Sequence, residues 1–296
     1  METTSPARRE TFDIEGCKIS CLVAGQRDSP AVLLLHGFPS SAQTFRKVIP
    51  RLADASFAVA PDLPGFGQSD VIADATFGRI ADLMEASLAR LGVERTYLYV
   101  HDFGAPVALE LAMRDPSRVL GLIIQNANAH RTGFSPQWQD TINFWNNPSR
   151  ETERAATAHL TFEGVRDQYI GGIPEDVASR VTDQYWIEDW RTMNQPGHLE
   201  LNRALVADYG RYAARFEQIG EYLREHQPPA LMLWGRHDIF FDIAEVLSWI
   251  QDLPRMEAHV LDGPHLLLET HAGVCAELIV DFISQNALAQ GSAGVT

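Results

Sequence analysis

The chain has 296 residues, is 45% hydrophobic and 21% charged, and carries 24 Lys and Arg against 39 Asp and Glu, a net charge of −15. That length suits one large domain or a domain with an inserted piece. The acidity disfavours nucleic-acid and anionic membrane surfaces as partners. No apolar run reaches the length of about 20 residues that a membrane span requires. The opening METTSPARRE has no apolar core behind its arginines, so no secretory signal is visible and a cytoplasmic location is expected. Cys17, Cys21 and Cys275 are an odd set with no metal-binding spacing, read as reduced structural thiols.

In chain order, residues 11–24 read as two short strands broken at Glu15-Gly16. AVLLLHG (31–37) is a continuous apolar run, as a strand buried on both faces would be. FAVAPDLPGFGQSD (57–70) begins as a strand and becomes a Pro/Gly-rich loop. Phe77, Ile80, Met84, Leu88 and Leu91 recur at helical spacing, and Gly92 stops that helix. YLYVHDFGAPVALELA (97–112) passes from strand to helix through Asp102-Phe103-Gly104, and Pro116 ends the helix. VLGLIIQNA (119–127) is a further buried strand. Residues 130–213 are rich in Trp, Tyr, Gln, Asn and Arg, with helical patches and no strong strand. PALMLWG (229–235) and RMEAHVLDG (255–263) are strand-like, residues 273–284 are helical, and the Gly/Ala/Ser tail at 288–296 is expected to fray. Strands alternating with helices imply a mostly parallel sheet. The chain is therefore read as an α/β core, 1–129 and 214–296, interrupted by a helical insertion at 130–213.

Ligands of open parallel sheets bind beyond the carboxyl ends of the strands. Asp102 lies at such an end, in a turn whose small neighbours Gly104 and Ala105 allow a sharp elbow. Taken alone it reads equally well as a helix cap. A carboxylate in an elbow needs no base to become nucleophilic, because it is already ionised at neutral pH. It can displace a leaving group from an sp³ carbon and form an ester that water then cleaves. Cleavage requires a base and an acid to orient it. His265, after AHVLDGP, and Asp238, after LMLWGRH, stand at later strand ends in the order nucleophile, acid, base. His271 competes as base and Asp242 as acid, while His101 and His237 read as flanking residues. The backbone amides of Phe38 and Phe103 are placed to receive the oxyanion.

HGFP (36–39), DLPGFGQSD (62–70), HDFGAP (101–106), WGRHD (234–238) and the Gly263-to-His265 segment together resemble the α/β-hydrolase family, and HDFG resembles its aspartate-nucleophile branch of epoxide hydrolases and haloalkane dehalogenases. The resemblance implies an α/β-hydrolase fold with a helical cap, a small apolar substrate with water as co-substrate, and no cofactor or metal. Dehalogenases of this kind hold halide with a Trp N–H after the nucleophile, where this chain has Phe103, and often with an Asn where it has Phe38. Val100 stands where epoxide hydrolases usually carry Gly, and Gly-Pro-His replaces the usual Gly-His. Epoxide hydrolases use cap tyrosines as proton donors. Tyr169, Tyr209 and Tyr212 are the candidates, with His36 as a further substrate-side group. Epoxide hydrolysis is the favoured reading. The alternatives are dehalogenation through the same ester, for which Trp138, Trp145, Trp186 and Trp190 could supply donors, and a non-catalytic small-ligand binder. The assembly is expected to be a monomer or homodimer.

Overall fold

The computed structural model describes residues 7–293, and of 289–293 the backbone only. One eight-stranded sheet organises the chain, in the order β1-β2-β4-β3-β5-β6-β7-β8. β1 (Arg8–Ile14) and β2 (Cys17–Ala24) form a hairpin through Glu15-Gly16, and β2 pairs antiparallel with β4 (Phe57–Pro61). From β4 onward every pairing is parallel, through β3 (Ala31–Leu34), β5 (Thr96–His101), β6 (Val119–Gln125), β7 (Ala230–Gly235) and β8 (Glu257–Leu261).

The central strands read as unbroken apolar runs because both faces are covered. On β3, Ala31 and Leu33 enter one core while Val32 and Leu34 enter the other. β5 alternates likewise, with Leu98 and Val100 on one side and Tyr97 and Tyr99 on the opposite side. The first core includes the helix Phe77–Leu91, started by the Thr76 hydroxyl accepting from the Arg79 amide at 3.1 Å and stopped by Gly92 in the left-handed region. The second core is covered by the helix Leu268–Ala293.

That last helix departs from the expected 273–284. It begins at Leu268, kinks at His271 and continues to Ala293. The apolar repeat runs through Leu268, Ala272, Cys275, Ile279 and Phe282, all buried, so the pattern starts one turn before the segment that the sequence singles out. The tail expected to fray at 288–296 is helical to Ala293, and 294–296 lie outside the described residues. The three cysteines are buried and unpaired, and burial pushes the Cys21 and Cys275 thiols up to about 12. Between β6 and β7 the structure is helical, with His198–Ala213 the longest helix and an isolated bridge from Phe134 to Phe241. No helix among the described residues is long and apolar enough to cross a membrane.

Candidate active site

β5 ends at His101 and the next helix begins at Gly104, so Asp102 and Phe103 make the whole turn. Asp102 has φ +44°, a region that a non-glycine residue enters only when its surroundings hold it there. Two glycines make room. A Cβ on Gly104 would lie 2.5 Å from the Leu35 carbonyl oxygen, and one on Gly37 would lie 2.3 Å from the Asp102 Cβ. The Asp102 amide donates to the Asn126 carbonyl at 3.3 Å, and its own carbonyl accepts from Ala105 at 3.0 Å. The turn therefore thrusts a carboxylate over the carboxyl edge of the sheet.

The Phe38 amide donates to Asp102 Oδ1 at 2.5 Å. Burial pushes the Asp102 carboxyl above its usual range, opposed by the His265 charge and by the amides of Phe38 and Phe103. Asp238, just past β7, is a full acceptor. Its Oδ1 takes the amides of Phe240 at 2.7 Å and Phe241 at 3.0 Å, and its Oδ2 takes Asn126 Nδ2 at 2.8 Å and His265 Nδ1 at 2.7 Å. An acceptor-only carboxylate assigns the proton to Nδ1 and leaves the Nε2 lone pair free in neutral imidazole. Nε2 has no hydrogen-bond partner and lies 3.8 Å from Asp102 Oδ2. Burial works against the imidazolium, but the Asp238 and Asp102 carboxylates outweigh it and raise the His265 pKa.

The competing residues go elsewhere. Asp242 Oδ1 accepts from the Ala244 amide at the start of the helix Ala244–Asp252. His271 Nδ1 meets the Thr270 hydroxyl at 2.8 Å. His237 pairs with exposed Asp262 at 2.6 Å. His101 is buried beside His265, ring centroids 4.9 Å apart, and burial holds it well below the ordinary histidine value.

A cavity of about 100 Å³ opens over Asp102, walled by Phe38, Phe103 and Phe240 from the sheet side and by Trp138, Val206 and Tyr209 from the helical segment. Of the four substrate-side groups named from sequence, only Tyr209 lines it. Its hydroxyl is buried without a hydrogen-bond partner, and burial, with the Tyr212 and Asp102 charges, keeps its proton bound far above the usual range. Tyr169 instead donates to Asp189 Oδ2 at 2.5 Å, and Tyr212 donates to the Asn128 carbonyl. His36 braces its own loop, accepting from the Leu63 amide at Nε2, 2.9 Å, with Nδ1 3.0 Å from the Gly37 carbonyl. In each of these three the polar tip is occupied by a neighbouring group of the fold.

Four residues escaped the sequence reading. Asn126 follows β6, and the strand-end rule that found Asp102 would have found it. It also donates to the Gly235 carbonyl at 3.1 Å and accepts from the Gly235 amide at 2.8 Å, tying β6 to β7 beneath Asp238. Thr141, His159 and Gln168 line the cavity from the helical side. Burial lowers the His159 pKa to about 4, against a backbone hydrogen bond to Ala156, so the ring is neutral at neutral pH. No sequence period marks these three.

The alpha/beta hydrolase fold family matches residues 30–272. An uncharacterised hydrolase of Saccharomyces cerevisiae is 29% identical over 92% of this chain and 95% of its own length. A haloalkane dehalogenase of Psychrobacter cryohalolentis is 27% identical over 91% of this chain and 88% of its own. A solved epoxide hydrolase, CorEH, superposes with a TM-score of 0.75 at 21% identity, covering 94% of this chain and 99% of that one. At that identity the likeness speaks for the fold. The elbow at Asp102, the strand-end groups gathered around it and a family match across most of the length lead to one conclusion: the chain belongs to the alpha/beta hydrolase fold family and is a hydrolase of that fold.

Proposed function

We propose that the chain hydrolyses an epoxide through an alkyl ester on Asp102, with residues 130–213 acting as a cap over the site. The observation that carries this reading is the Asp102 carboxylate itself, with Oδ1 gripped by the Phe38 amide and Oδ2 facing the free Nε2 of His265 across 3.8 Å. In the first step Oδ2 attacks an epoxide carbon, the C–O bond breaks, and the Tyr209 hydroxyl gives its proton to the departing oxygen. In the second step His265 Nε2 takes a proton from water, and the hydroxide attacks the ester carbonyl carbon. Oδ1 is then the carbonyl oxygen, and the amides of Phe38 and Phe103 receive its charge. The ester breaks to a diol and the Asp102 carboxylate, and the proton on His265 returns to Tyr209.

The leaving-group side favours an epoxide over a halide. Phe38 and Phe103 bring no side-chain donor. The Trp138 indole N–H donates to the Phe240 carbonyl at 2.8 Å and that of Trp145 to the Val206 carbonyl at 2.9 Å. Trp186 and Trp190 pack on Tyr169 and Phe162. The Tyr209 ring lines the cavity, and its enclosed hydroxyl, close to the Asn128 side chain, is the phenol there not tied to a carboxylate or a carbonyl. Dehalogenation by the same ester is the second reading, supported by the likeness to the Psychrobacter dehalogenase.

Trapping the ester tests the proposal. A His265→Gln variant, treated with styrene oxide or 1-bromobutane and digested, should carry an epoxide-derived mass on the Asp102 peptide. Labelling by the bromoalkane alone transfers the reading to dehalogenation. Labelling by neither reagent leaves a binding protein on a hydrolase scaffold.

A further inference from the structure

We infer that the substrate is uncharged and carries a second hydrogen-bonding group, of the amide or alcohol class, remote from the reacting carbon and bound by Gln168 and Thr141. This deepens the proposed function and rests on the same cavity. Both side chains line that cavity and are nearly closed off from solvent, at 5% exposure for Gln168 and 7% for Thr141. No described residue gives the Gln168 amide or the Thr141 hydroxyl a side-chain hydrogen bond. Neither polar tip is among the fully enclosed unpartnered atoms, so both keep accessible surface, and a ligand in the cavity can pair with them in place of water.

Both groups stand on anchored supports. Gln168 belongs to the helix Phe162–Ile170, pinned by buried Val165 and by the bond from neighbouring Tyr169 to Asp189. Thr141 belongs to the helix Gln139–Asn146, whose Trp145 is fixed through its indole N–H to Val206 and whose preceding residue, Trp138, is fixed to Phe240. The amide offers donors and an acceptor and the hydroxyl offers both, which suits a neutral amide, alcohol or carbonyl. Charge is disfavoured. No Lys or Arg is among the residues lining the cavity, His159 is neutral with a pKa of about 4, and Asp102 repels anions. Phe38, Phe103 and Val206 add apolar lining to the same cavity.

Two arms test this. In the first, length-matched terminal epoxides ending in a methyl group, a primary amide or a carboxylate are compared by kcat/KM. The amide should exceed the methyl substrate by about tenfold, the worth of a good neutral hydrogen bond, and the carboxylate should be the poorest. Gln168→Leu should bring the amide-to-methyl ratio close to one through KM rather than kcat, and Thr141→Val should reduce it part of the way. Equal rates for amide and methyl substrates in the unaltered protein, or equal losses for both in Gln168→Leu, overturn the inference. The second arm needs no turnover: calorimetry of hexanamide, 1-hexanol and hexanoate binding to the unaltered protein and to Gln168→Leu. Hexanamide binding that weakens about tenfold in the variant sustains the inference even if no epoxide is hydrolysed. Hexanoate binding as tightly as hexanamide refutes it even if epoxides are.

Discussion

The two walls of the cavity differ in how they treat their polar groups. On the sheet wall nearly every polar atom is satisfied. Asp238 accepts four hydrogen bonds, Asn126 joins three groups, and Asp102 is gripped by an amide. His265 Nε2, facing Asp102, is left without a partner, as are Trp234 Nε1 and the Asn128 amide on the sheet side. On the helical wall Tyr209, Gln168 and Thr141 stand without side-chain partners, while Tyr169 and Tyr212 are tied off. Saturated groups cannot rearrange without losing bonds, so the sheet wall is preorganised for chemistry. Unsaturated groups gain when something arrives, so the helical wall is suited to recognition.

Substitutions can break this contrast, and the largest effect belongs to Asp102, the proposed nucleophile. Asp102→Asn keeps an acceptor for the Phe38 amide but cannot form the ester. Turnover should fall by about 10³-fold or more while binding of inert ligands persists; loss of both would mean the elbow had collapsed instead. Asp238→Asn should lower turnover by about 10²–10⁴-fold and let the ester accumulate, because the imidazole loses both orientation and charge support. The same variant carries a pH signature. In the proposed mechanism His265 takes a proton from water only when neutral, and the carboxylates raise its pKa, so the acid limb of the rate profile should lie above the ordinary histidine value of about 6.5. Removing the Asp238 charge should move that limb to lower pH. An unmoved limb would mean that another group sets it.

Tyr209→Phe should come next. Loss of the phenol proton should slow epoxide opening by about 10²-fold and leave bromoalkane displacement far less affected, a difference visible in single-turnover burst rates. Equal slowing of both would make Tyr209 a packing residue. The smallest effect concerns the Tyr169 tether. Burial raises the Asp189 carboxyl to about 8, far above its value in an unfolded chain of about 3.9. The folded state then holds a proton that the unfolded chain has released, and the stability this group supplies is lost as pH rises toward about 8. Asp189→Asn should therefore raise the thermal midpoint more at pH 9 than at pH 5, by scanning calorimetry. A pH-independent change would show that Asp189 is ionised throughout.

Much of the sheet wall was legible because it obeys local rules. Continuous apolar runs marked the strands, and Gly104 after Asp102 marked a turn too tight for a larger side chain. His265 and Asp238 each closed a strand-like run. The helical wall obeys no such rule. Tyr169, Tyr209 and Tyr212 have the same chemistry in sequence, and only the fold decides that two of them meet Asp189 and the Asn128 carbonyl while the third meets a cavity. Gln168 and Thr141 look like ordinary polar helix residues until burial is known. The last helix was underestimated at its start, where Leu268 is buried and the helix kinks at His271 before the run that the sequence marks.

The division of labour along the chain has a consequence for how such a protein can change. The groups assigned to bond-making hang from the sheet, while those assigned to reading the rest of the substrate, Thr141, Gln168 and Tyr209, come from one continuous stretch between β6 and β7. Mutations or whole replacements in that stretch could retarget the protein to new molecules while the reactive centre is inherited untouched.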